Sequence, residues 1–291
     1  MISLCGKALV MIICLLVVPF GSAWCWSQDG DEPNREEKLK EKLAENVGRV
    51  PYAEDGTQTY FVFRPAKAPK AIFLSMQGSA GCLFGKRGPI QSEEDLIANG
   101  GPSPFHPSIM IQGTPAWTEN NLKVILPNCP DVDHSSSTED YAAAIKKIIA
   151  KENPKNLPVF IGGMSRGTIR ATNVAARLKQ KIQGTILLST STSNTYDGTV
   201  FGPPIKNATS AFLMVIHDND GCSSSESLSG LKDFSDHLTK VKDKTIVKVT
   251  GGVGARRQTR HALCGARSHH GMNGIHEEVF KIMNDWMNKR L

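Results

Sequence analysis

Residues 158–170 read Pro-Val-Phe-Ile-Gly-Gly-Met-Ser-Arg-Gly-Thr-Ile-Arg, and no other stretch restricts the fold as tightly. The wholly apolar run 159–162 reads as a short strand buried on both faces, as in a parallel sheet between two helical layers. It leads directly into Gly163-Met164-Ser165-Arg166-Gly167, a G-x-S-x-G pattern. The segment that follows is helical in character. Its Gly167, Ala171, Ala175 and Ala176 are small enough to pack close on a sheet. A strand, a tight turn and a helix in this order lift the turn's serine hydroxyl clear of the sheet. The helix aims its N-terminal N–H groups and positive dipole end at the same spot. Ser165 is therefore the candidate nucleophile. The competing reading is a serine that merely caps the helix.

The remaining chain alternates in the same sense. Apolar strands are predicted at 60–63, 71–76, 122–126, 185–188, 212–216 and 245–249. Helices are predicted at 138–150, after Ser165, and at 228–241 and 277–287. This is the α/β class: a mostly parallel central sheet with helices on both faces. Two connections are long, 78–120 and 191–209, and loops of that length in a compact domain tend to carry function. Residues 36–47 predict a further helix, with Leu39, Leu43 and Val47 along one face and Gly48 as its stop. The domain reading is a signal peptide over 1–23, an N-terminal extension with that helix over 24–57, and one α/β domain over 58–291.

The start of the chain bears on compartment. Lys7 precedes an apolar run over 8–20, and Gly21-Ser22-Ala23 supplies small residues for cleavage. The run falls short of the roughly 20 residues a spanning helix needs, so it reads as a secretory signal. The mature chain is expected to be exported, periplasmic or extracellular, with no stable membrane span. A lipoprotein processed at Cys25 is disfavoured by Trp24, where a small residue is required. Export leaves Cys25, Cys82, Cys129, Cys222 and Cys264; in an oxidising compartment these read as disulfides, and because five is odd one thiol is left over, Cys25 at the mature terminus being the candidate. The sequence has no C-x-x-C pair, and neither a metal nor a cofactor is predicted. The formal net charge of +6 is modest, and no Lys/Arg run interleaved with aromatics appears, so nucleic acid is not an expected partner. Asn207-Ala208-Thr209 is a glycosylation sequon, relevant only in a eukaryotic host.

A serine hydroxyl needs a base to take its proton. The best candidate is His270, in Ser268-His269-His270-Gly271 ahead of the last helix, with neighbouring His269 as the rival. The base needs a carboxylate to hold its tautomer. Asp218 and Asp220 both follow the 212–216 strand, and Asp220, further from the strand, is preferred. An oxyanion would be met by the backbone N–H groups of Arg166 and of Ser79, in Gln77-Gly78-Ser79-Ala80-Gly81. A Cys222–Cys264 bridge would tie the acid loop to the base loop. A Cys82–Cys129 bridge would pin the oxyanion loop to the next strand. Four cysteines permit three pairings.

Gly163-Met164-Ser165-Arg166-Gly167, His217-Asp218-Asn219-Asp220 and His269-His270-Gly271 together resemble the α/β-hydrolase superfamily, with a closer likeness to dienelactone-hydrolase-like and secreted bacterial hydrolases. The resemblance covers about 58–290 and implies Ser165 as nucleophile, Asp220 as acid and His270 as base. Gln77-Gly78 departs from the frequent His-Gly at the oxyanion loop. The implied partner is a small ester or acyl compound. The implied activity is hydrolysis of carboxylic esters through an acyl-enzyme. A serine peptidase and a non-catalytic binding protein are the rivals, because this fold hosts all three. Arg256, Arg257, Arg260 and Arg267 precede the base. They read either as a solvated basic loop or as an attractor of anionic substrates.

Overall fold

The computed structural model describes residues 46–52, 56–78, 108–128, 139–193, 198–225 and 228–291. Its strands are β1 (Val47–Tyr52), β2 (Gly56–Phe63), β3 (Ala71–Met76), β4 (Leu122–Pro127), β5 (Val159–Met164), β6 (Gly184–Leu188), β7 (Ala211–His217) and β8 (Lys244–Val249). Its helices are α1 (Ile109–Gln112), α2 (Thr114–Glu119), α3 (Glu139–Glu152), α4 (Arg166–Leu178), α5 (Leu228–His237), α6 (Arg260–Leu263) and α7 (His276–Asn288). The strands form one sheet in the order β1-β2-β4-β3-β5-β6-β7-β8. β1/β2 and β2/β4 are antiparallel, and every later pair is parallel.

The apolar strand runs have a direct structural reason. Side chains alternate across a strand, and here both faces are covered. In β3, Ile72, Leu74 and Met76 enter one core cluster with Ile145, Ile148 and Val174 of α3 and α4. Ala71 and Phe73 enter the opposite cluster with Trp117, Phe280 and Met283 of α2 and α7. On that second face Phe73, Trp117 and Phe280 meet edge to face, at centroid distances of 4.5 and 5.7 Å. Each such pair contributes about 0.5–1.5 kcal/mol beyond its buried area.

The sequence expectation fails at the amino-terminal edge. Val47 and Gly48 are neither the end of a helix nor its stop. They pair with Phe61 and Tyr60 as part of β1. A Cβ at Gly48 would lie 2.0 Å from the Tyr60 ring, so the glycine makes room for a cross-strand aromatic. Among the described residues the sheet therefore extends back to Val47, ahead of the boundary expected at 58. Residues 36–45 and the signal segment lie outside the described residues. The long 78–120 connection contains two short helices, α1 and α2, that pattern reading did not separate from the loop.

The topology sets the site. From β3 the chain crosses to β4 on one side, then returns to β5 on the other. The carboxyl ends of β3 and β5 are neighbours at this reversal, with Met76 opposite Gly163. Open α/β sheets bind ligands at such a switch point.

Candidate active site

Ser165 stands at the junction of β5 and α4 with φ 53° and ψ −125°. For a residue with a Cβ this is a strained, sparsely populated conformation, costing of order 1–3 kcal/mol. The strain is carried by the serine itself and not by the glycines that flank it. The glycines serve close approach instead. A Cβ at Gly163 would lie 2.2 Å from the Gly167 carbonyl oxygen, and one at Gly167 would lie 2.3 Å from that of Met76. Ser165 is the N-cap residue of α4, yet its side chain makes no capping hydrogen bond. The capping explanation of this serine is thereby removed.

Gln77 and Gly78, at the end of β3, lie against this turn. A Cβ at Gly78 would sit 3.3 Å from Ser165 Cβ. One turn into α4, Arg170 is 6% exposed and donates from Nη1 to the Gln77 carbonyl at 2.9 Å. Burial pulls its guanidinium below the ordinary arginine range, but a guanidinium keeps its charge inside a protein. A buried cation thus fixes the peptide that opens the 77–81 segment. The sequence offered no signal for this role. Ser79, the expected second oxyanion donor, lies outside the described residues, as do Cys82 and Cys129.

Asp220 and His270 meet. His270 is fully buried, and its Nδ1 lies 3.0 Å from Asp220 Oδ2 and 3.2 Å from Oδ1. The Cys222 N–H donates to the same carboxylate at 2.9 Å, which aims it. Asp218 points elsewhere and pairs with Lys248 at 2.7 Å. His269 is also committed elsewhere. It stacks on His217 at 4.3 Å, and its Nδ1 lies 3.2 Å from the Asn219 carbonyl. His217 accepts from Asn219 N–H at Nδ1 and donates from Nε2 to Gly251 O, which defines a neutral imidazole.

A third acceptor faces His270. Ser225 Oγ lies 3.1 Å from Nδ1 and donates its own proton to the Ser189 carbonyl at 3.1 Å. With its hydrogen used there, Ser225 offers a lone pair to Nδ1–H. The proton of the neutral imidazole is therefore held on Nδ1. Nε2 is buried, keeps its lone pair, and has no hydrogen-bond partner among the described residues. Ser225 was not a sequence candidate. It lies in a Ser223-Ser224-Ser225 run where nothing marks one hydroxyl above the others.

The serine turn and the histidine loop are stitched to adjacent residues. Ser165 N–H donates to the Leu188 carbonyl at 3.0 Å, and Ser189 Oγ donates to the His270 carbonyl at 2.7 Å. Cys222 and Cys264 form a disulfide across 42 residues, joining the acid loop to the segment ahead of the base. Beside Ser165 opens a cleft of about 370 Å³, lined by Arg166, Ser191, Ser193, Ser224, Arg260 and His261 among others. Of the four arginines before His270, Arg260 is the one in this lining. Among the described residues no group of three or more His, Cys, Asp or Glu side chains is placed to hold a metal ion. Nor is any described helix long and apolar enough to cross a membrane.

No protein-family model matches the chain, and no curated protein matches it in sequence. Solved structures match it in fold. A cold-adapted esterase from an Arctic intertidal metagenomic library aligns with TM-score 0.54 and 15% identity, over 84% of this chain and 92% of that one. An α/β serine hydrolase without a lid from Xanthomonas campestris aligns with TM-score 0.52 and 13% identity, over 84% and 95%. A dienelactone hydrolase from Anabaena variabilis aligns with TM-score 0.51 and 13% identity, over 84% and 97%. At this identity the likeness establishes the architecture shared by all three.

Proposed function

We propose that this chain, which has the α/β-hydrolase fold, is a serine hydrolase of carboxylic esters. The observation that carries the reading is the His270 imidazole. Asp220 and Ser225 hold its Nδ1 proton, and its Nε2 lone pair is left unengaged in a buried position. That is the state a general base needs.

In the proposed reaction Ser165 Oγ attacks the ester carbonyl carbon while its proton passes to His270 Nε2. The carbonyl π electrons become an oxyanion, met by the N–H of Arg166 at the α4 N-terminus and by that of Ser79. The C–O bond to the alcohol then breaks, and the leaving oxygen takes the proton from Nε2. Water attacks the acyl-enzyme by the same route, giving a carboxylic acid and restoring the serine. Asp220 stays ionised and keeps the imidazole in one tautomer. The strained backbone at Ser165 and the absence of a capping bond support its role as nucleophile. The esterases among the structural neighbours favour esters over peptide amides. The apolar leader and the Cys222–Cys264 bridge support export to an oxidising compartment.

The test is labelling by a fluorophosphonate together with hydrolysis of short-chain nitrophenyl esters. Wild-type protein is expected to take up label. Ser165→Ala is expected to lose it, with kcat down by about 10⁴–10⁶. An unlabelled wild type would favour a binding protein, and preferential cleavage of peptide amides would favour a peptidase.

A further inference from the structure

Asp220 and His270 lie 50 residues apart in sequence, so their hydrogen bond is only as well aimed as the two segments that carry them. One flank of this contact is held by the disulfide, which joins Cys222, just past Asp220, to Cys264, ahead of His270. The other flank holds two histidines that the proposed reaction does not use. His217 ends β7 shortly before Asp220, and His269 directly precedes His270. Their rings stack at 4.3 Å with planes 12° apart.

Both rings act on one residue, Asn219, the neighbour of Asp220. Asn219 N–H donates to His217 Nδ1 at 3.0 Å. The Asn219 carbonyl, 3.2 Å from His269 Nδ1, can only accept, so His269 donates to it. The residue ahead of the acid thus has its donor and its acceptor fixed, one by each member of the stack. The stack is itself anchored. His217 is 1% exposed, pairs with Val249 of β8 and donates from Nε2 to the Gly251 carbonyl at 2.9 Å. The chain beyond Gly251 packs on His269, where a Cβ at Gly254 would lie 3.0 Å from Cε1. Val253 N–H donates to the Asn273 carbonyl at 2.8 Å, which closes this turn onto the segment that carries His270.

We infer that His217 and His269 are positioning residues for the base: their stack, gripping Asn219 at both backbone polar atoms, holds the Asp220 carboxylate in line with His270 Nδ1. The inference rests on the ester-hydrolase reading and deepens it by giving a role to two histidines outside the triad. The carboxylate must hold the imidazole in one tautomer and one orientation as the serine proton arrives. A misplacement of about 1 Å can cost about 100-fold in rate. The disulfide restrains the acid loop after Asp220, and the histidine pair restrains it before. The flat stack sets the distance between the two loops, and the ring nitrogens set the orientation of Asn219. Neither ring is among the described residues lining the cleft beside Ser165, so the pair acts through Asp220 and His270 rather than on substrate.

The experiment separates ring from nitrogen at position 269. His269→Phe keeps an aromatic ring for the stack and removes the donor. His269→Asn places an amide donor near the Nδ1 position and removes the ring. The readouts are kcat and KM for a short nitrophenyl ester, Tm, and the low-field proton resonance of His270 Nδ1–H in its bond to Asp220. His269→Phe is expected to lower kcat about tenfold at unchanged KM and to weaken or shift that resonance. His269→Asn is expected to recover part of both. His237→Phe, on α5 and outside this network, is expected to leave kcat unchanged. An unchanged kcat and resonance in His269→Phe, whatever happens to Tm, would overturn the inference and leave the pair as packing. Should His269→Phe fail to fold, His269→Gln, which carries its donor one carbon further out, takes its place against the same outcomes. A wild type that cleaves no ester and takes no fluorophosphonate would refute the hydrolase reading instead. The resonance then decides alone: its loss in His269→Phe upholds the positioning, and its retention overturns it.

Discussion

At the residue scale the site depends on which atom keeps which proton. His270 Nδ1 has three acceptors within 3.2 Å, two on Asp220 and one on Ser225. Ser225 reaches that role only because its hydroxyl hydrogen is directed at Ser189 O. Removing it leaves Nδ1 with the carboxylate alone and empties the contact to Ser189. A neutral hydrogen bond contributes about 1 kcal/mol, and about 1.4 kcal/mol is a tenfold change in rate. Ser225→Ala is therefore expected to lower kcat/KM for a short nitrophenyl ester about fivefold, with Ser225→Thr recovering part of the loss. Parallel thermal melts separate the roles: a fall in Tm with unchanged kinetics would show that Ser225 only packs. Arg170 illustrates the same logic in the opposite direction. A buried cation is retained where it holds the Gln77 peptide, although burial penalises its charge.

At the element scale, β5 and α4 meet at a distance that only glycine permits. A Cβ on Gly167 would lie 2.3 Å from Met76 O and 2.6 Å from Gln77 O. Both obstacles are backbone atoms of the segment facing Ser165, so neither can rotate away. Gly167→Ala must push α4 off the sheet or displace Gln77-Gly78. Overpacking of this kind costs typically about 1–3 kcal/mol. The expected outcome is a loss of stability of that size in urea unfolding, with a fall in kcat larger than any rise in KM. Retention of full kcat would show that the Gln77 segment has no part in the chemistry. Gly202→Ala is the control, since its Cβ would come no closer than 3.3 Å to Thr199 O.

At the scale of the whole molecule, the last helix ties stability to pH. His276 opens α7, and its ring Nε2 lies 3.1 Å from the Gly271 carbonyl, next to His270. Burial lowers its pKa from the ordinary value of 6.5, against a smaller opposing effect of that hydrogen bond. The unfolded chain then binds the proton more readily than the folded one. Stability is unaffected by this group well above pH 6.5 and falls as the pH drops below it. His276→Gln is expected to flatten the dependence of Tm on pH between about 7 and 5. An unchanged slope would assign the acid sensitivity to other groups. What the amino-acid sequence determined alone was local and periodic: the parallel core strands, the β5–Ser165–α4 turn, and the short lists of bases and acids. These were legible because apolar alternation and the G-x-S-x-G spacing act through neighbouring residues. The edge strand β1 was not, since Val47 and Gly48 are strand only through pairing with Phe61 and Tyr60. The sequence already preferred Asp220 over Asp218, but the third acceptor Ser225, the buried Arg170 and the placing of Arg260 alone of the four arginines in the cleft lining were decided by tertiary structure. Each depends on a partner some fifty to ninety residues away or on the shape of a cleft, and such contacts leave no trace in local spacing.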